Sequence, residues 1–254
     1  DGLNNHDWGR KTRAVRINGT HTKWCHEELV DIVGAAGANL DVVIIPKVKA
    51  PHDVKFVDTL LSQLEMKHDL PLGRIGIEVL IEETEALARV EEIAVSSPRL
   101  EALILGVGDL SASQGMRLGH IGSRESAYPG DIWHYARTRL IVAARANGID
   151  AIEGPFANFR DAEGTRRSCR IARALGYDGK WCIHPSQIAT ANEVFSPTER
   201  EIAWASRVVE AYEAARREGR GAIALDNKMI DAANLRMARN TIEQARLVGL
   251  LPTP

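Results

Sequence analysis

Apolar residues along the chain fall into short runs separated by longer amphipathic stretches. The run Leu40–Val48 is almost wholly aliphatic and rich in β-branched residues, which is typical of a strand buried on both faces. Arg74–Glu82 and Leu100–Gly106 have the same character, whereas Asp150–Gly154 is shorter and weaker. In chain order the predicted strands are Thr12–Asn18, Leu40–Val48, Arg74–Glu82, Leu100–Gly106, Asp150–Gly154 and Gly179–His184.

Between these runs, apolar residues recur at intervals of three and four, which is the spacing of amphipathic helices. Gly148 and Gly176 follow two of these stretches at the position where glycine commonly ends a helix. The predicted helices are His26–Gly34, His52–Lys67, Thr84–Ser96, Ile132–Asn147 and Asp161–Leu175. Alternating strands and helices predict an α/β fold with a parallel sheet.

Two architectures suit six strand–helix units, an open doubly wound sheet and a TIM (β/α)8 barrel. The turn at Gly106–Gly108 does not continue as a glycine-rich phosphate loop, which weakens the dinucleotide-binding version of the open sheet. A polar residue stands at or just after the end of every predicted strand, as in barrel enzymes. These residues are Arg16, Lys47, Glu82, Asp109, Glu153 and His184. We therefore predict a barrel whose first two strands lie before Asp1.

The pattern changes in the last quarter of the chain. Thr198–Gly219 and Ala232–Val248 predict two amphipathic helices, and Gly219–Asp226 predicts a loop between them. We expect this tail to be too polar to form a core of its own, and to pack on the barrel or on a neighbouring subunit. The predicted domains are a catalytic barrel over residues 1–195 and a C-terminal helical extension, or lid, over 196–254.

Composition narrows the class of protein. Hydrophobic residues make up 44% of the 254 residues and charged residues 26%, which excludes disorder as the main state. The net charge of -2 gives no electrostatic reason to expect a nucleic-acid partner, and no stretch approaches the roughly 18 uninterrupted apolar residues of a membrane span. The three cysteines lack CxxC spacing and the histidines lack HxH or HExxH spacing. We predict a reduced, cytoplasmic protein with no disulfide framework and no zinc site.

Glu82 and Asp109 are the first candidates for chemistry, because they end neighbouring predicted strands. Adjacent barrel strands would place both carboxylates on one rim, where they could hold Mg²⁺ or Mn²⁺ and leave positions for water and substrate. Gly106 and Gly108 would let the backbone approach a bound ligand. The alternative is two solvated loop acids.

Arg16 and Lys47 are the candidate cations of the same rim. Arg16 could hold a carboxylate or polarise a developing oxyanion, or it could form a structural ion pair. Lys47 could contact a phosphate, pair with an acid on the rim, or form the Schiff base of an imine-forming aldolase.

The remaining polar candidates have mainly structural interpretations. We interpret His184 as a loop cap, and Glu78, which shares a strand face with Glu82, as a buried and hydrogen-bonded structural acid. From spacing alone, Asp226 and Asp231 belong to a solvated loop.

Six runs of sequence then carry a resemblance. They are VRING (15–19), IIPKV (44–48), GIEVLIEE (76–83), SPRLEALILGVGDLSASQGM (97–116), GKWCIHPSQI (179–188) and KMID (228–231). In this order they resemble the citrate lyase β-subunit-like, HpcH/HpaI-type lyase superfamily. Within it, the segments 7–9, 106–109 and GDIWHYAR (130–137) look most like malyl-CoA/β-methylmalyl-CoA lyases.

The resemblance implies site residues that spacing alone does not assign. A divalent metal, Mg²⁺ or Mn²⁺, would be held by Glu82 and Asp109, and Arg16 would bind the carboxylate and carbonyl oxygen of the oxo acid. Gly108 and Lys47 would contact the substrate. The barrel would be a homotrimer or homohexamer, and the lid would reach a neighbouring subunit's site, where Asp231 would be the acid–base group.

The implied function is reversible carbon–carbon cleavage of malyl-CoA or methylmalyl-CoA to glyoxylate and acetyl-CoA or propionyl-CoA. The alternatives are a citramalyl-CoA or citryl-thioester lyase, a metal-dependent aldolase acting on a free hydroxy acid, and a catalytically silent assembly subunit. Two departures from the relatives, Glu153 in place of a frequent aspartate and a short segment between Gly119 and Tyr128, are expected to affect substrate choice.

Overall fold

The computed structural model describes residues 1–119 and 128–252 of the chain. They form two compact units, Asp1–Ala191 and Asn192–Pro254. The short segment that we expect to affect substrate choice, between Gly119 and Tyr128, lies outside the described residues.

The first unit is built on a six-stranded parallel sheet whose strands follow one another in chain order. Each strand confirms one of the six predicted apolar runs, although each is shorter than its run. Ile44 pairs with Arg16 on one side and with Glu78 on the other, and the register between β3 and β4 shifts by one residue at Ile77/Glu78. The strands are β1 Ala14–Arg16, β2 Val42–Ile45, β3 Gly76–Ile81, β4 Leu100–Leu105, β5 Asp150–Glu153 and β6 Gly179–Lys180.

The sheet is curled, as the contact between its two edge strands shows. The guanidinium carbon of Arg16, on edge strand β1, lies 5.8 Å from the ring centroid of Trp181, which directly follows the opposite edge strand β6. In a flat sheet these edges would be about 24 Å apart, since neighbouring strands are spaced by about 4.8 Å. The curled six-stranded parallel sheet is consistent with part of a TIM-type barrel.

The inside of the curl is filled by side chains from successive strands. Val42 and Ile44 of β2, Leu80 of β3 and Ile104 of β4 form one buried cluster. Ile152 and Trp181 pack against it. Burial of such side chains is worth about 1.5–3 kcal/mol each, which accounts for the nearly continuous apolar character of the predicted strands.

Helices connect the strands, as alternation of the two patterns predicts. They are α1 Gly2–Asn5, α2 Cys25–Ala36, α3 Pro51–Lys67, α4 Thr84–Ala88, α5 Val90–Ala94, α6 Val107–Ser113, α7 His134–Ala146, α8 Ala162–Leu175 and α9 Ile188–Phe195. Helix α7 packs against β4 and β5, and α8 packs against β6. The predicted single helix over Thr84–Ser96 was wrong, because the backbone at Arg89 leaves the helical region (φ -119°, ψ 21°) and separates α4 from α5.

The second unit corrects two expectations about the tail. The predicted helices are confirmed as α10 Glu199–Arg217 and α11 Ala232–Leu247, but a hairpin of β7 Ile223–Leu225 and β8 Lys228–Ile230 lies between them. The expected loop is thus partly a strand. The hairpin turns at Asp226 and Asn227, both with positive φ (49° and 59°), which is the conformation of a tight two-residue hairpin loop.

The second unit also has a core of its own, contrary to the expectation that the tail is too polar for one. Its buried cluster is Ala205, Val208, Tyr212, Ile230, Leu235 and Ala238. Ala205 of α10 and Ala238 of α11 are small enough for the two helices to pack closely, so a few apolar side chains suffice to form this core. Among the described helices of the whole chain, none has the length and apolar composition that crossing a bilayer requires.

Candidate active site

Four charged residues lie at the carboxyl-terminal ends of four successive strands of the first unit. Arg16 is the last residue of β1. Lys47 lies two residues after the end of β2, and Glu82 directly follows β3. Asp109 lies in the first turn of α6, the helix that begins two residues after β4. The parallel sheet brings these ends to one edge.

Lys47 connects the two acids of this group. Its backbone N–H donates a 2.9 Å hydrogen bond to Glu82 Oε1, and its ammonium Nζ donates a 2.6 Å hydrogen bond to Asp109 Oδ1. Lys47 has a φ of 54°, in the left-handed region that residues other than glycine rarely adopt. Such strain persists only where the surrounding structure holds it, and here it lets one residue reach two carboxylates.

Glu82 is the buried member of the group, with a relative exposure of 6%. Burial raises the pKa of its carboxyl, and the charge of Asp109 raises it further, against the lowering effects of the Lys47 N–H and the charges of Lys47 and Arg16. Gly106 packs directly against it: a Cβ at Gly106 would lie 2.4 Å from Glu82 Cβ and 2.7 Å from its Oε2. The glycine therefore makes room for the glutamate.

Arg16, Asp109 and Lys47 are more accessible than Glu82. The guanidinium of Arg16 lies over the indole of Trp181, a cation–π contact that orients it without neutralising it. Gly108 lies within α6, next to Asp109, and is half-buried. The structure thus brings five of the predicted site residues to the same end of the sheet.

The donor set is suited to a hard divalent cation. Glu82 Oε2 and Asp109 Oδ2 accept no hydrogen bond from the described residues, so each acid keeps a free oxygen. Within the described residues no group of three or more histidine, cysteine or acidic side chains gathers into a metal cage. Two carboxylates with open positions are the arrangement typical of Mg²⁺, which keeps several waters and is completed by substrate oxygens. Glu82 and Asp109 therefore fit this ion.

Asp231 lies in the second unit, where it is the N-cap of α11. Its Oδ1 accepts hydrogen bonds from the backbone N–H groups of Ala233 (2.9 Å) and Asn234 (3.1 Å), and the Asn234 side chain accepts from the Asp231 N–H. Oδ2 accepts no hydrogen bond from the described residues. The capping contacts orient the carboxylate and leave one oxygen for other partners.

Three further polar candidates have structural roles. His184 confirms the loop-cap interpretation, since its Nδ1 accepts from the Ser186 N–H at 3.2 Å and its ring stacks on Phe159 at 4.5 Å. Glu153, 1% exposed, accepts three hydrogen bonds from the Arg137 guanidinium on the helix side of β5. Asp226 binds Arg207 through both carboxylate oxygens at 2.9 Å.

The interpretation of Glu78 as a hydrogen-bonded structural acid was wrong. It lies on β3, four residues before Glu82, and no described residue donates a hydrogen bond to it. Burial raises its pKa to about 7, and the negative charges of Glu101, on the neighbouring strand β4, and Asp150, on β5, add to the shift. Glu78 is thus a partly buried acid beside which none of the described residues places a cation.

Sequence reasoning missed Trp181 as part of the site. The strand alternation could have indicated its direction. Trp181 directly follows Lys180, the last residue of β6, so its side chain lies on the opposite face from Lys180 and on the same face as Ile152. Its contact with Arg16 could not be found in this way, because that contact depends on how far the sheet curls.

The sequence and the fold are similar to those of known proteins. Residues 4–185 match the family described as HpcH/HpaI aldolase/citrate lyase. The chain is 39% identical to the L-malyl-CoA/beta-methylmalyl-CoA lyase of Cereibacter sphaeroides (strain ATCC 17025 / ATH 2.4.3) over 261 residues, which cover 98% of this chain and 81% of the relative.

Two solved structures are similar to it. A citrate lyase from Burkholderia xenovorans LB400 matches in fold with a TM-score of 0.80 and 22% identity, covering 93% of this chain and 73% of that one. The protein CitE from Mycobacterium tuberculosis, crystallised with magnesium, acetoacetate and coenzyme A, matches with a TM-score of 0.71 and 27% identity, covering 91% and 77%. This chain belongs to the HpcH/HpaI aldolase/citrate lyase family.

Proposed function

We propose that this protein is a divalent-metal-dependent carbon–carbon lyase that cleaves malyl-CoA or β-methylmalyl-CoA reversibly to glyoxylate and acetyl-CoA or propionyl-CoA. The observation that carries the proposal is the pairing of Glu82 with Asp109 at the strand ends, each with a free oxygen, in a chain 39% identical to a malyl-CoA/β-methylmalyl-CoA lyase. The cofactor is Mg²⁺ or Mn²⁺, and the CoA thioester is the substrate.

The residues of the first unit bind and orient the hydroxy-acid end of the substrate. Glu82 and Asp109 hold the metal, which when bound supplies Lewis-acid stabilisation of negative charge on a substrate oxygen. Arg16, oriented by Trp181, binds the carboxylate of the oxo acid and stabilises the oxygen that becomes its carbonyl. Lys47 fixes the positions of both acids, and Gly108 offers backbone beside Asp109 to the substrate.

The proton transfer is assigned to Asp231. In the cleavage direction the carbinol hydroxyl gives up its proton and becomes the glyoxylate carbonyl. The bond between the carbinol carbon and the α-carbon of the thioester breaks, and the α-carbon keeps the electron pair and takes a proton from Asp231, so the net proton count is unchanged. In the condensation direction Asp231 removes that proton, so one carboxylate serves as acid and as base. The hydrogen bonds to Oδ1 fix its direction, and Oδ2 is the oxygen available for transfer.

The proposal extends to architecture and assembly. The curled sheet is part of a (β/α)8 barrel, six of whose strands this sequence supplies, and residues 196–254 form a lid. In a homotrimer or homohexamer the lid of one subunit brings Asp231 to the site of the next. The assembly works in the cytoplasm, on small molecules and without a nucleic-acid or membrane partner.

The test is glyoxylate release from malyl-CoA and β-methylmalyl-CoA, measured with Mg²⁺, with Mn²⁺ and with EDTA. We expect release that EDTA abolishes and added metal restores, together with stoichiometric acetyl-CoA or propionyl-CoA. Release of free malate and CoA without glyoxylate would instead identify a thioesterase. Cleavage of citramalyl-CoA or a citryl thioester alone, or of free hydroxy acids without CoA, would replace the proposed substrate with one of the alternatives.

A further inference from the structure

The backbone around Asp231 places a second side chain beside its carboxylate. Strand β8 ends at Ile230, which is 2% exposed and lies in the core of the second unit. Asp231 is still extended (φ -123°, ψ -169°), so the alternation of strand side chains continues through it. Met229 and Asp231 therefore both project from the face opposite Ile230. Side chains two positions apart on one strand face are separated by about 6.5–7 Å.

Met229 is exposed to an unusual degree. Its relative exposure of 73% is the highest of any large apolar side chain in the described residues. The hairpin that carries it is firmly held, because the Asp226 turn pairs with Arg207 and the Lys228 ammonium lies 5.2 Å from the ring centroid of Trp204. A well-held strand thus presents an uncovered thioether next to a carboxylate whose second oxygen is free.

We propose that Met229 is a specificity-determining residue that packs against the acyl chain of the thioester while Asp231 exchanges a proton with its α-carbon. The inference rests on the proposed function, since it takes Asp231 to be the acid–base group. When Asp231 contacts the α-carbon, a substituent on that carbon is close enough for the Met229 side chain to contact it. The methionine side chain is flexible and polarisable, so it can cover either the hydrogen of an acetyl unit or the methyl group of a propionyl unit.

Kinetics of single variants test this contact. We expect Met229→Ala to lower kcat/KM for β-methylmalyl-CoA relative to malyl-CoA by about tenfold, the value of one well-packed methyl group. Met229→Leu, which keeps an apolar side chain of similar size, should retain most of the ratio. Met237→Ala is the matched control, because Met237 is a second exposed methionine (59%) of the same unit and lies on α11. An unchanged ratio in Met229→Ala would overturn the inference.

A footprint gives a readout that does not depend on turnover. Hydrogen peroxide converts exposed methionine to its sulfoxide, and mass spectrometry of peptides gives the rate at each position. We expect propionyl-CoA with Mg²⁺ to slow oxidation of Met229 and to leave Met237 unchanged. Failure of the proposed function would appear as a wild-type protein that cleaves neither CoA ester. Failure of the inference would appear as an active wild type in which ligand leaves Met229 oxidation unchanged.

Discussion

The ammonium nitrogen of Lys47 lies 2.6 Å from Asp109 Oδ1, so a cation of the chain itself already occupies one carboxylate of the candidate metal site. The backbone N–H of the same residue holds Glu82. A metal ion on the free oxygens of the two acids would therefore lie close to this ammonium group, whose positive charge opposes its binding, whereas the backbone contact carries no net charge. Side-chain and backbone roles of Lys47 can be separated by substitution.

Replacing Lys47 with methionine is expected to tighten Mg²⁺ binding by about fivefold, because an exposed ion pair is worth up to about 1 kcal/mol and its loss frees Asp109. Titration calorimetry measures the change. Lys49→Met is the control, since Lys49 forms a similar exposed ion pair with Glu85 (3.2 Å) two residues further along. Weaker Mg²⁺ binding by Lys47→Met would mean that the lysine supports the metal site instead of competing with it.

Glu82→Gln should abolish measurable Mg²⁺ binding without unfolding the protein, because the amide oxygen can still accept the Lys47 N–H. In the wild type, burial raises the pKa of Glu82, so protons should displace the metal at a higher pH than for an ordinary glutamate. Calorimetry between pH 5 and 8 follows both effects. Glu85→Gln, which changes an exposed acid, serves as the reference. Full metal affinity in Glu82→Gln would remove Glu82 from the site.

Glu78 makes stability depend on pH in a definite direction. Its folded pKa of about 7 lies above the unfolded value, so the folded state holds a proton that the unfolded state releases near pH 4.5. The stabilisation is complete below the unfolded pKa and is lost as pH rises through 7. We expect Glu78→Gln to be more stable than wild type at pH 8.5 by about 1–3 kcal/mol, with little difference at pH 5. Urea unfolding at both pH values would refute this if the two proteins kept a constant difference.

Glu153 is expected to affect stability more than substrate choice. Glu153→Gln leaves the buried Arg137 with only Asp131 as an ionic partner, and breaking a buried pair in this way costs about 3 kcal/mol. Asp226→Asn disrupts an equally bidentate but exposed pair and should cost less than about 1 kcal/mol. Chemical denaturation compares the two. A Glu153→Gln variant as stable as wild type but with altered acyl preference would restore the substrate role.

Asp231 combines a cap with the proposed acid–base function, and two substitutions separate them. Asparagine caps helices as well as aspartate does, so Asp231→Asn should keep the melting temperature while kcat falls by about 10²–10⁴-fold. Asp231→Ala should lose the same activity and also about 1 kcal/mol of stability. Glyoxylate release and circular dichroism on the same samples give both quantities. Wild-type turnover by Asp231→Asn would exclude Asp231 from proton transfer.

The order of the sheet and the end of the sheet that carries the acids could be predicted because each follows from local pattern. Apolar runs marked the six strands, and Glu82 and Asp109 were found because parallel strands end together. A curled sheet follows from the predicted barrel, but the contact between Arg16 and Trp181 could not be predicted, because it depends on the twist accumulated over all six strands. Lys47 could be predicted as a cation at this end of the sheet. Its left-handed backbone and its contacts with both Glu82 and Asp109 could not be predicted, because no sequence pattern indicates them.

The errors also have particular causes. The β7–β8 hairpin was missed because its strands have three residues each and its turn, Asp226-Asn227, lacks the glycine that usually signals such turns. The core of the tail was missed because the prediction did not count alanine as a core residue. Ala205 and Ala238 are part of the buried cluster between the two helices. The packing of Gly106 on Glu82 could not be predicted, because the two residues meet only through the pairing of neighbouring strands.

The packing of Gly106 on Glu82 bears on how these positions can diverge. The shortest approach, 2.4 Å, is to the Cβ of residue 82, which every residue except glycine carries, so the conflict outlasts the loss of the carboxylate. A descendant that had given up catalysis would therefore be free to exchange Glu82 but would still be obliged to keep Gly106. We therefore expect glycine at this position even in a protein of this fold that has exchanged Glu82 and lost the metal site.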